Sequence, residues 1–329
     1  MRLPRETLRR LAGAPIVIDG QTLDVQIQVL CDGARRLGIP QPEDPDRARA
    51  QMDEDRQVVE PHAPPMATER DVLVPVEGGS IRARVYRPRT AKSKPGMLVY
   101  FHGGGFVTGG LSTHEEPLRQ LAHDSGVVVC AVDYRKGPEH KFPAAPEDGL
   151  AAYQWARAHA SDFGADPARV GVGGDSAGGN ISAVVCHLAK ERGVEQPTHQ
   201  LLIYPATDWW RRSETHKTFA KGYILEEERT FWYEKHYLER IEERDDPRAS
   251  PIRYTDFSGL APATVAIAGF DILRDEATQY VELLERGGTK VDFLFEASLI
   301  HGFFNMGGAI EAAAAANAWI AARVREALG

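Results

Sequence analysis

A serine flanked by glycines lies near the middle of the chain, in the run Gly173-Gly174-Asp175-Ser176-Ala177-Gly178-Gly179-Asn180. A serine hydroxyl is a weak nucleophile, so an enzyme that uses one lifts it clear of the backbone and offers it to a base. Glycine on either side of the serine, at Gly174 and Gly178, lets a strand turn sharply into a helix with Ser176 at the apex. The G-x-S-x-G pattern therefore predicts that Ser176 is a catalytic nucleophile.

The residues around this motif have the pattern that a nucleophilic serine needs. Arg169 to Val172 form a short β-type run, and Ile181 to Lys190, which lack Gly and Pro, predict a buried helix. A dinucleotide-binding turn is the main alternative, because Gly171-x-Gly173-x-x-Ser176 comes close to that fingerprint. Serine replaces the third glycine there, and the segment lies in mid-chain rather than in an opening βαβ unit. These departures favour catalysis.

A nucleophilic serine needs a base, and that base needs an acid to orient it. Eleven histidines compete for the role of base, and His301 is preferred because it follows the last predicted strand, at the sheet edge where Ser176 emerges. Asp271 follows the strand predicted over Ala263 to Ala268 and so ends at the same edge. Asp275 is its rival, but Asp275 fits better in the first turn of the next helix. The order serine, aspartate, histidine is that of α/β-hydrolases rather than of chymotrypsin or subtilisin.

Backbone donors for a developing oxyanion are predicted at two places. The first is the N–H of Ala177, directly after the nucleophile, and the second is the loop His102-Gly103-Gly104-Gly105-Phe106, which follows an apolar run ending at Phe101. Glycine-rich loops also serve as flexible turns or phosphate cradles, although the G-x-G-x-x-G pattern is not matched here. In combination with the Ser176 motif, this loop indicates an oxyanion hole.

Strand and helix patterns alternate over most of the chain, which predicts βαβ units and an α/β fold. A hairpin is predicted first, with strands over Asp71 to Val76 and Ile81 to Tyr86. Continuous apolar runs then predict strands buried on both faces of a mainly parallel sheet. The later strands are predicted over Met97 to Phe101, Val127 to Val132, Gln200 to Tyr204, Ala263 to Ala268 and Lys290 to Phe295, and helices over Glu116 to Ser125, Ala144 to His159 and Asn180 to Glu191.

Two regions stand outside this alternation. Near the N-terminus, apolar residues at helical spacing from Leu23 to Leu37 predict an amphipathic helix, and a breaker segment, Gly38 to Pro45, separates it from a charged helix over Asp46 to Asp55. Between the strands ending at Tyr204 and starting at Ala263 lies a long aromatic-rich insertion. Its rings form either a lid over a site or a small core of the insertion itself. They are Trp209, Trp210, Phe219, Tyr223, Phe231, Trp232, Tyr233 and Tyr237.

Composition excludes several functional classes. The 329 residues carry a net charge of −8 and no long Lys/Arg cluster, which argues against a nucleic-acid partner. No apolar run approaches the roughly 20 residues that span a bilayer, so no integral membrane association is expected. Three cysteines at unrelated spacings, with no recognisable signal peptide, favour a cytoplasmic protein. Neither H-E-x-x-H nor a comparable metal-binding cluster occurs, so no metal site is predicted.

Together these motifs resemble the hormone-sensitive-lipase-like family of bacterial esterases, which belongs to the α/β-hydrolase superfamily. The resemblance covers residues 70 to 329. It rests on five separate signatures in the family's order: His102 to Phe106, Asp133-Tyr134-Arg135 with the segment Pro138 to Ala145, Gly174 to Asn180, Asp271 to Glu276, and Ile300 to Phe303. Two positions depart from it: Ile272 stands where proline is common, and Arg135-Lys136-Gly137-Pro138 varies the usual Arg-Leu-Ala-Pro. Neither departure removes a reacting group.

The resemblance implies an α/β-hydrolase core, with a mostly parallel sheet of about eight strands flanked by helices, at residues 61–207 and 256–329. It implies a helical cap made of residues 1–60 and the insertion at 208–255. The implied activity is hydrolysis of small, short- to medium-chain carboxylic esters without a cofactor, with Gly104, Gly105 and Ala177 as the oxyanion donors.

Two alternatives stay open. One is an amidase of the arylacetamide type, which would use the same three residues, and the other is a non-catalytic binding protein on the same fold. The presence of Ser176, Asp271 and His301 together disfavours the second. A homodimer is compatible with the sequence.

Overall fold

The structure is a computed structural model and describes residues 3–37, 42–210 and 213–329. Its strands are β1 (Val17–Ile18), β2 (Gln21–Thr22), β3 (Thr68–Val76), β4 (Gly79–Arg87), β5 (Met97–Phe101), β6 (Val128–Asp133), β7 (Val170–Asp175), β8 (Gln200–Ile203), β9 (Ala263–Phe270) and β10 (Val291–Ile300). Its helices are α1 (Arg5–Ala12), α2 (Val25–Leu37), α3 (Pro45–Asp55), α4 (Glu115–Ser125), α5 (Ala144–His159), α6 (Ala177–Glu191), α7 (Thr215–Thr218), α8 (Glu227–Tyr237), α9 (Arg274–Arg286) and α10 (Glu311–Leu328).

Over the described residues, eight strands form one sheet in the order β10-β9-β8-β7-β5-β6-β4-β3. The pairs β3–β4 and β4–β6 are antiparallel, and the neighbours from β6 to β10 are parallel. The fold is therefore the predicted α/β class with a mostly parallel sheet. Parallel strands end at one edge, which brings together Ser176 after β7, Asp271 after β9 and His301 after β10.

Alternating side chains of the central strands form two cores, one on each face of the sheet. In β5, Met97, Val99 and Phe101 belong to the core covered by α5, α6 and α9, while Leu98 and Tyr100 belong to the core covered by α4 and α10. Every residue of β5, β7 and β9 is buried. Burial on both faces explains why these strands read as continuous apolar runs in the sequence.

The predicted helices and strands are confirmed with shifts of a few residues at most ends, but β10 continues to Ile300, five residues beyond the predicted end at Phe295. The strand predicted to reach Tyr204 ends one residue earlier, because Tyr204 has a positive φ of 35°. The sequence patterns did not predict α1 or the short β1–β2 hairpin, and of α10 they indicated only the helix-favouring run Ala312 to Ala316. The breaker segment Gly38 to Pro45 lies partly outside the described residues.

The insertion between β8 and β9 contacts the N-terminal region. The indole Nε1 of Trp232 donates to the carbonyl of Glu43 at 3.0 Å, and Arg229 donates to the carbonyl of Pro42 at 3.1 Å. Of the insertion's rings, Tyr237 is fully buried, whereas Tyr233 lines a cavity above Ser176. The aromatic residues therefore serve as core and as cavity wall.

None of the helices in residues 3–37, 42–210 and 213–329 combines the length and the apolar character needed to cross a membrane.

Candidate active site

Ser176 sits at a strained turn between β7 and α6. Its backbone has φ 55° and ψ −116°, a region that a side chain rarely adopts. Its N–H donates to Ile203 at 2.9 Å, and its carbonyl accepts from Asn180 and Ala206, so the turn is held from three directions. A Cβ at Gly178 would overlap the backbone of Phe101. The close packing of this turn therefore requires glycine, as the motif predicts.

The three residues singled out from the sequence form one chain of hydrogen bonds. His301 Nε2 lies 2.9 Å from Ser176 Oγ, and His301 Nδ1 lies 2.8 Å from Asp271 Oδ2. Because a carboxylate only accepts, Nδ1 carries the proton and Nε2 keeps a lone pair for the serine hydroxyl. This is the tautomer in which the imidazole can take the proton of Ser176.

Asp271 is more deeply buried than its rival Asp275, whose side chain is 37% exposed and pairs with Arg274. The Asp271 side chain is 1% exposed, and its Oδ1 accepts from the N–H of Leu273 at 2.9 Å. Asp275 lies in the first turn of α9, where its Oδ2 accepts from the N–H of Thr215 at 3.1 Å. The structure thus brings Asp271, and not Asp275, to His301.

The glycine loop after β5 lines the same cavity as Ser176 through Gly105. Gly105 has φ +59°, and a Cβ there would overlap the ring of Tyr233. Phe106 keeps a positive φ of 62° while its ring stacks on Tyr237 at a centroid distance of 4.0 Å. Within the described part of the chain, the N–H groups of Gly104, Gly105 and Ala177 donate to no protein acceptor. Three such donors beside a nucleophile can receive an oxyanion.

Asp175, the residue before the nucleophile, holds the glycine loop in place. Its Oδ1 accepts from Gly103 N–H at 2.9 Å and from Tyr100 OH at 3.0 Å, and it lies 3.1 Å from His114 Nε2. Burial alone raises the pKa of the Asp175 carboxyl, but the nearby His114 and these hydrogen bonds lower it below its ordinary value. Asp175 is therefore an ionised anchor for backbone donors.

A cavity with about 480 Å³ of empty space, counting its open mouth, lies over Ser176. Most of its wall is apolar or aromatic, which suits the acyl or alcohol part of a small ester. The lining residues include Phe106, Trp209, Leu225, Tyr233 and Leu273.

One carboxyl in the cavity wall was missed by sequence reasoning. Glu276 is 4% exposed, and its Oε1 accepts from the N–H groups of Thr207 at 2.7 Å and Asp208 at 3.1 Å. Burial raises its pKa well above the ordinary value of 4.5. Through these hydrogen bonds Glu276 connects α9 to the loop after β8. The bond to Thr207 spans 69 positions of the chain, so no local sequence pattern predicts it.

The parallel sheet, the strained serine after a central strand, and the Ser176–His301–Asp271 hydrogen bonds define an α/β-hydrolase of the serine type. The sequence profile of the alpha/beta hydrolase fold family matches residues 98–305. The chain therefore belongs to this family, in its hormone-sensitive-lipase-like branch, which confirms the resemblance noted from the motifs.

Curated relatives and solved structures agree with this assignment. The chain is 42% identical to the carboxylic ester hydrolase LipN of Mycobacterium tuberculosis, over 90% of this chain and 80% of that protein. It is 35% identical to an ethyl acetate hydrolase of Pseudomonas putida, over 82% of this chain and 86% of that protein. The ester hydrolase EH1AB1 from the Lake Arreo metagenome, solved with a bipyridine phosphonate derivative, superposes with a TM-score of 0.88. It is 38% identical and covers 92% of this chain and 98% of that one.

Proposed function

We propose that this carboxylic ester hydrolase works through an acyl-enzyme formed on Ser176. The single observation that carries the proposal is the hydrogen-bonded chain from Ser176 Oγ through His301 to Asp271, at 2.9 and 2.8 Å. In the first step His301 Nε2 takes the hydroxyl proton while Ser176 Oγ attacks the ester carbonyl. Asp271 holds the imidazole and stabilises the imidazolium that forms.

The tetrahedral oxyanion is received by the N–H groups of Gly104, Gly105 and Ala177. His301 then gives its proton to the alcohol oxygen, the C–O bond breaks, and the alcohol leaves. Water enters, His301 removes its proton, and the resulting attack on the acyl carbon releases the acid and restores Ser176. These steps consume one ester and one water and yield one acid and one alcohol.

The substrates we propose are small, short- to medium-chain esters. The support comes from the apolar wall of the cavity over Ser176. Residues 1–60 and 208–255 are proposed as its cap, over a core at 61–207 and 256–329. The hydrogen bonds from Trp232 to Glu43 and from Arg229 to Pro42 support a cap made of both segments.

Hydrolysis of p-nitrophenyl esters from acetyl to palmitoyl, measured beside Ser176→Ala, tests this proposal. We expect turnover to peak at short chains and to vanish in the variant. Wild-type protein that is folded and inactive on every chain length would overturn ester hydrolysis and shift attention to amides. Activity retained by Ser176→Ala would overturn the nucleophile.

A homodimer and a cytoplasmic location complete the proposal. Strand β10 lies at the edge of the sheet, and its Phe293 and Phe295 are about two-fifths exposed, at 41% and 40%. Two such edges can pair with each other around a two-fold axis. Light scattering after gel filtration, with Phe293→Lys as the disrupting variant, distinguishes a dimer from a monomer.

The proposed cytoplasmic location is supported by the cysteines. Cys31, Cys130 and Cys186 are free thiols, which fits a reducing compartment.

A further inference from the structure

A buried histidine, His114, lies behind the site and has no step in the proposed reaction. It is fully buried and directly precedes α4. Its Nε2 lies 3.1 Å from Asp175 Oδ1. Since a carboxylate only accepts, Nε2 is the donor in this contact.

Through Asp175, His114 is connected to both sides of the proposed oxyanion hole. Asp175 directly precedes Ser176 in the chain, and the same Oδ1 accepts from the N–H of Gly103. A shift of this carboxylate would therefore move the nucleophile and the glycine loop relative to each other. A Cβ at Gly103 would overlap the Asp175 side chain, so the loop and the carboxylate are in close contact.

The other ring nitrogen of His114 contacts Thr113, in the segment that continues from the glycine loop to α4. His114 Nδ1 lies 2.9 Å from Thr113 Oγ1, and Thr113 Oγ1 accepts from the N–H of Gly110 at 2.9 Å. The segment from Gly103 to Thr113 is thus tied at both ends to one imidazole and its carboxylate partner. An imidazole with both nitrogens engaged has a fixed orientation.

A third loop reaches the same imidazole. The amide nitrogen Nδ2 of Asn305, four residues after His301, lies 3.4 Å from His114 Nε2. Because both atoms are donors, this is a packing contact rather than a hydrogen bond. The neighbouring Phe304 donates its N–H to Tyr204 OH at 3.3 Å, which holds this loop beside the site. The loops that carry the nucleophile, the oxyanion donors and the base therefore meet at His114.

We propose that His114 is a positioning residue for this hydrolase, which sets the distance between Ser176 and the oxyanion donors through Asp175. The inference rests on the proposed function. His114 does not contact substrate. Its loss acts on the transition state, because the oxyanion forms only after the attack by Ser176.

His114→Asn shortens the side chain and breaks the contact with Asp175. We expect kcat on p-nitrophenyl butyrate to fall by about 10- to 100-fold while KM changes less than about 2-fold, since misplaced donors weaken oxyanion binding alone. The inhibition constant of an alkyl trifluoromethyl ketone, which forms a hemiketal oxyanion on a serine, should rise by the factor by which kcat/KM falls. His114→Gln, with a longer amide donor, should recover part of kcat.

His199→Gln is the matched control. His199 is also buried and hydrogen-bonded, to Thr264 Oγ1 at 2.9 Å, but it directly precedes β8, at the opposite end of the strands from Ser176. We expect its kcat and inhibition constant to stay within about 2-fold of wild type, even where its melting temperature falls.

The outcomes separate the inference from the proposed function. If Ser176→Ala keeps its activity, the proposed function fails. If Ser176→Ala is inactive but folded His114→Asn keeps wild-type kcat and inhibition constant, the His114 inference fails. The His114 inference also fails if burst titration shows that the loss in kcat equals a loss of active sites. It fails too if neither His114 variant folds, because His114 would then be needed for folding alone.

Discussion

At the scale of single residues, the site depends on protons and lone pairs being in defined places. Asp271 accepts from His301 Nδ1, which in the proposed mechanism leaves Nε2 free to act as the base. Because Asp271 fixes one tautomer of His301, replacing its carboxylate with an amide should have a specific effect that kinetics can measure.

For Asp271→Asn we expect kcat to fall by about 10⁴-fold with little change in KM, because an amide donor facing Nδ1 favours the wrong tautomer. Steady-state kinetics on p-nitrophenyl butyrate would measure it. Asp275→Asn is the matched control four positions later, and its kcat should stay within a few-fold of wild type. Equal losses in the two variants would contradict the assignment of Asp271.

Glu276 is predicted to make stability depend on pH. Its folded pKa is raised by burial, so the folded state holds this proton more tightly than the unfolded chain does. The free energy of unfolding therefore loses a contribution as pH rises from the ordinary value of 4.5 through the raised folded pKa. In Glu276→Gln this loss should be absent.

Urea unfolding at about pH 5 and about pH 8 compares the two proteins, and Glu282→Gln on the exposed face of α9 is the control. A wild-type protein and a Glu276→Gln variant with equal pH dependence would show that Glu276 titrates normally.

At the scale of elements, the glycine loop and the insertion between β8 and β9 are so closely packed that a substitution in one must displace the other. Gly105 faces the ring of Tyr233, a residue of α8 more than 100 positions away. Gly105→Ala forces either the ring or the loop to move, and we expect kcat to fall by about 100-fold. Gly193→Ala is the matched control, since Gly193 has a similar φ of +65° and nothing within 4 Å of an added Cβ.

Both alanine variants have a backbone cost of about 1 kcal/mol at a positive φ, and the overlap with the Tyr233 ring destabilises Gly105→Ala further. Activity should separate them strongly. A Gly193→Ala enzyme as impaired as Gly105→Ala would show that backbone strain, and not the Tyr233 ring, causes the loss.

Elements were also the level at which the sequence was most informative. Apolar runs such as Met97 to Phe101 predicted buried strands because burial on both faces leaves no room for polar residues. Ser176 was found from the G-x-S-x-G motif, and Asp271 and His301 were chosen because each follows a predicted strand. The sequence patterns predicted no role for Asp175, His114 or Glu276, because their hydrogen-bond partners lie far away in the chain. Hydrogen bonds between distant residues produce neither a periodic pattern nor a motif. The β1–β2 hairpin, with strands of two residues, is too short to show an alternation.

At the scale of the whole molecule, an arginine of the N-terminal region holds the segment that follows the glycine loop. Arg49 in α3 donates from Nε to the carbonyl of Val107 at 2.9 Å, and from its guanidinium to the carbonyl of Gly137 at 2.9 Å. It also pairs with both oxygens of Glu139, at 2.8 and 2.7 Å. Such forked contacts fix geometry better than a single charge does.

For Arg49→Ala we expect the free energy of unfolding to fall by about 2 kcal/mol, since charged hydrogen bonds to the backbone are lost. We also expect kcat/KM to fall by about 10-fold, because the loop carrying Gly104 and Gly105 loses support. Arg35→Ala in α2 removes only an exposed pair with Asp32 and should change neither quantity. Unfolding in urea and ester kinetics on the same preparations decide between these outcomes.

The Arg49 contacts also bear on how such enzymes could diversify or be recombined. The matched family region begins at residue 98, yet Val107 within it accepts a hydrogen bond from Arg49, which lies before that region. A chimera whose first segment comes from a relative without an arginine at position 49 would therefore lose the contacts with Glu139. Arg49 and Glu139 form a pair, and a chimera that carries only one of them would lose these hydrogen bonds. It would keep the hydrogen bonds among Ser176, His301 and Asp271, but its helix α3 would be held less firmly.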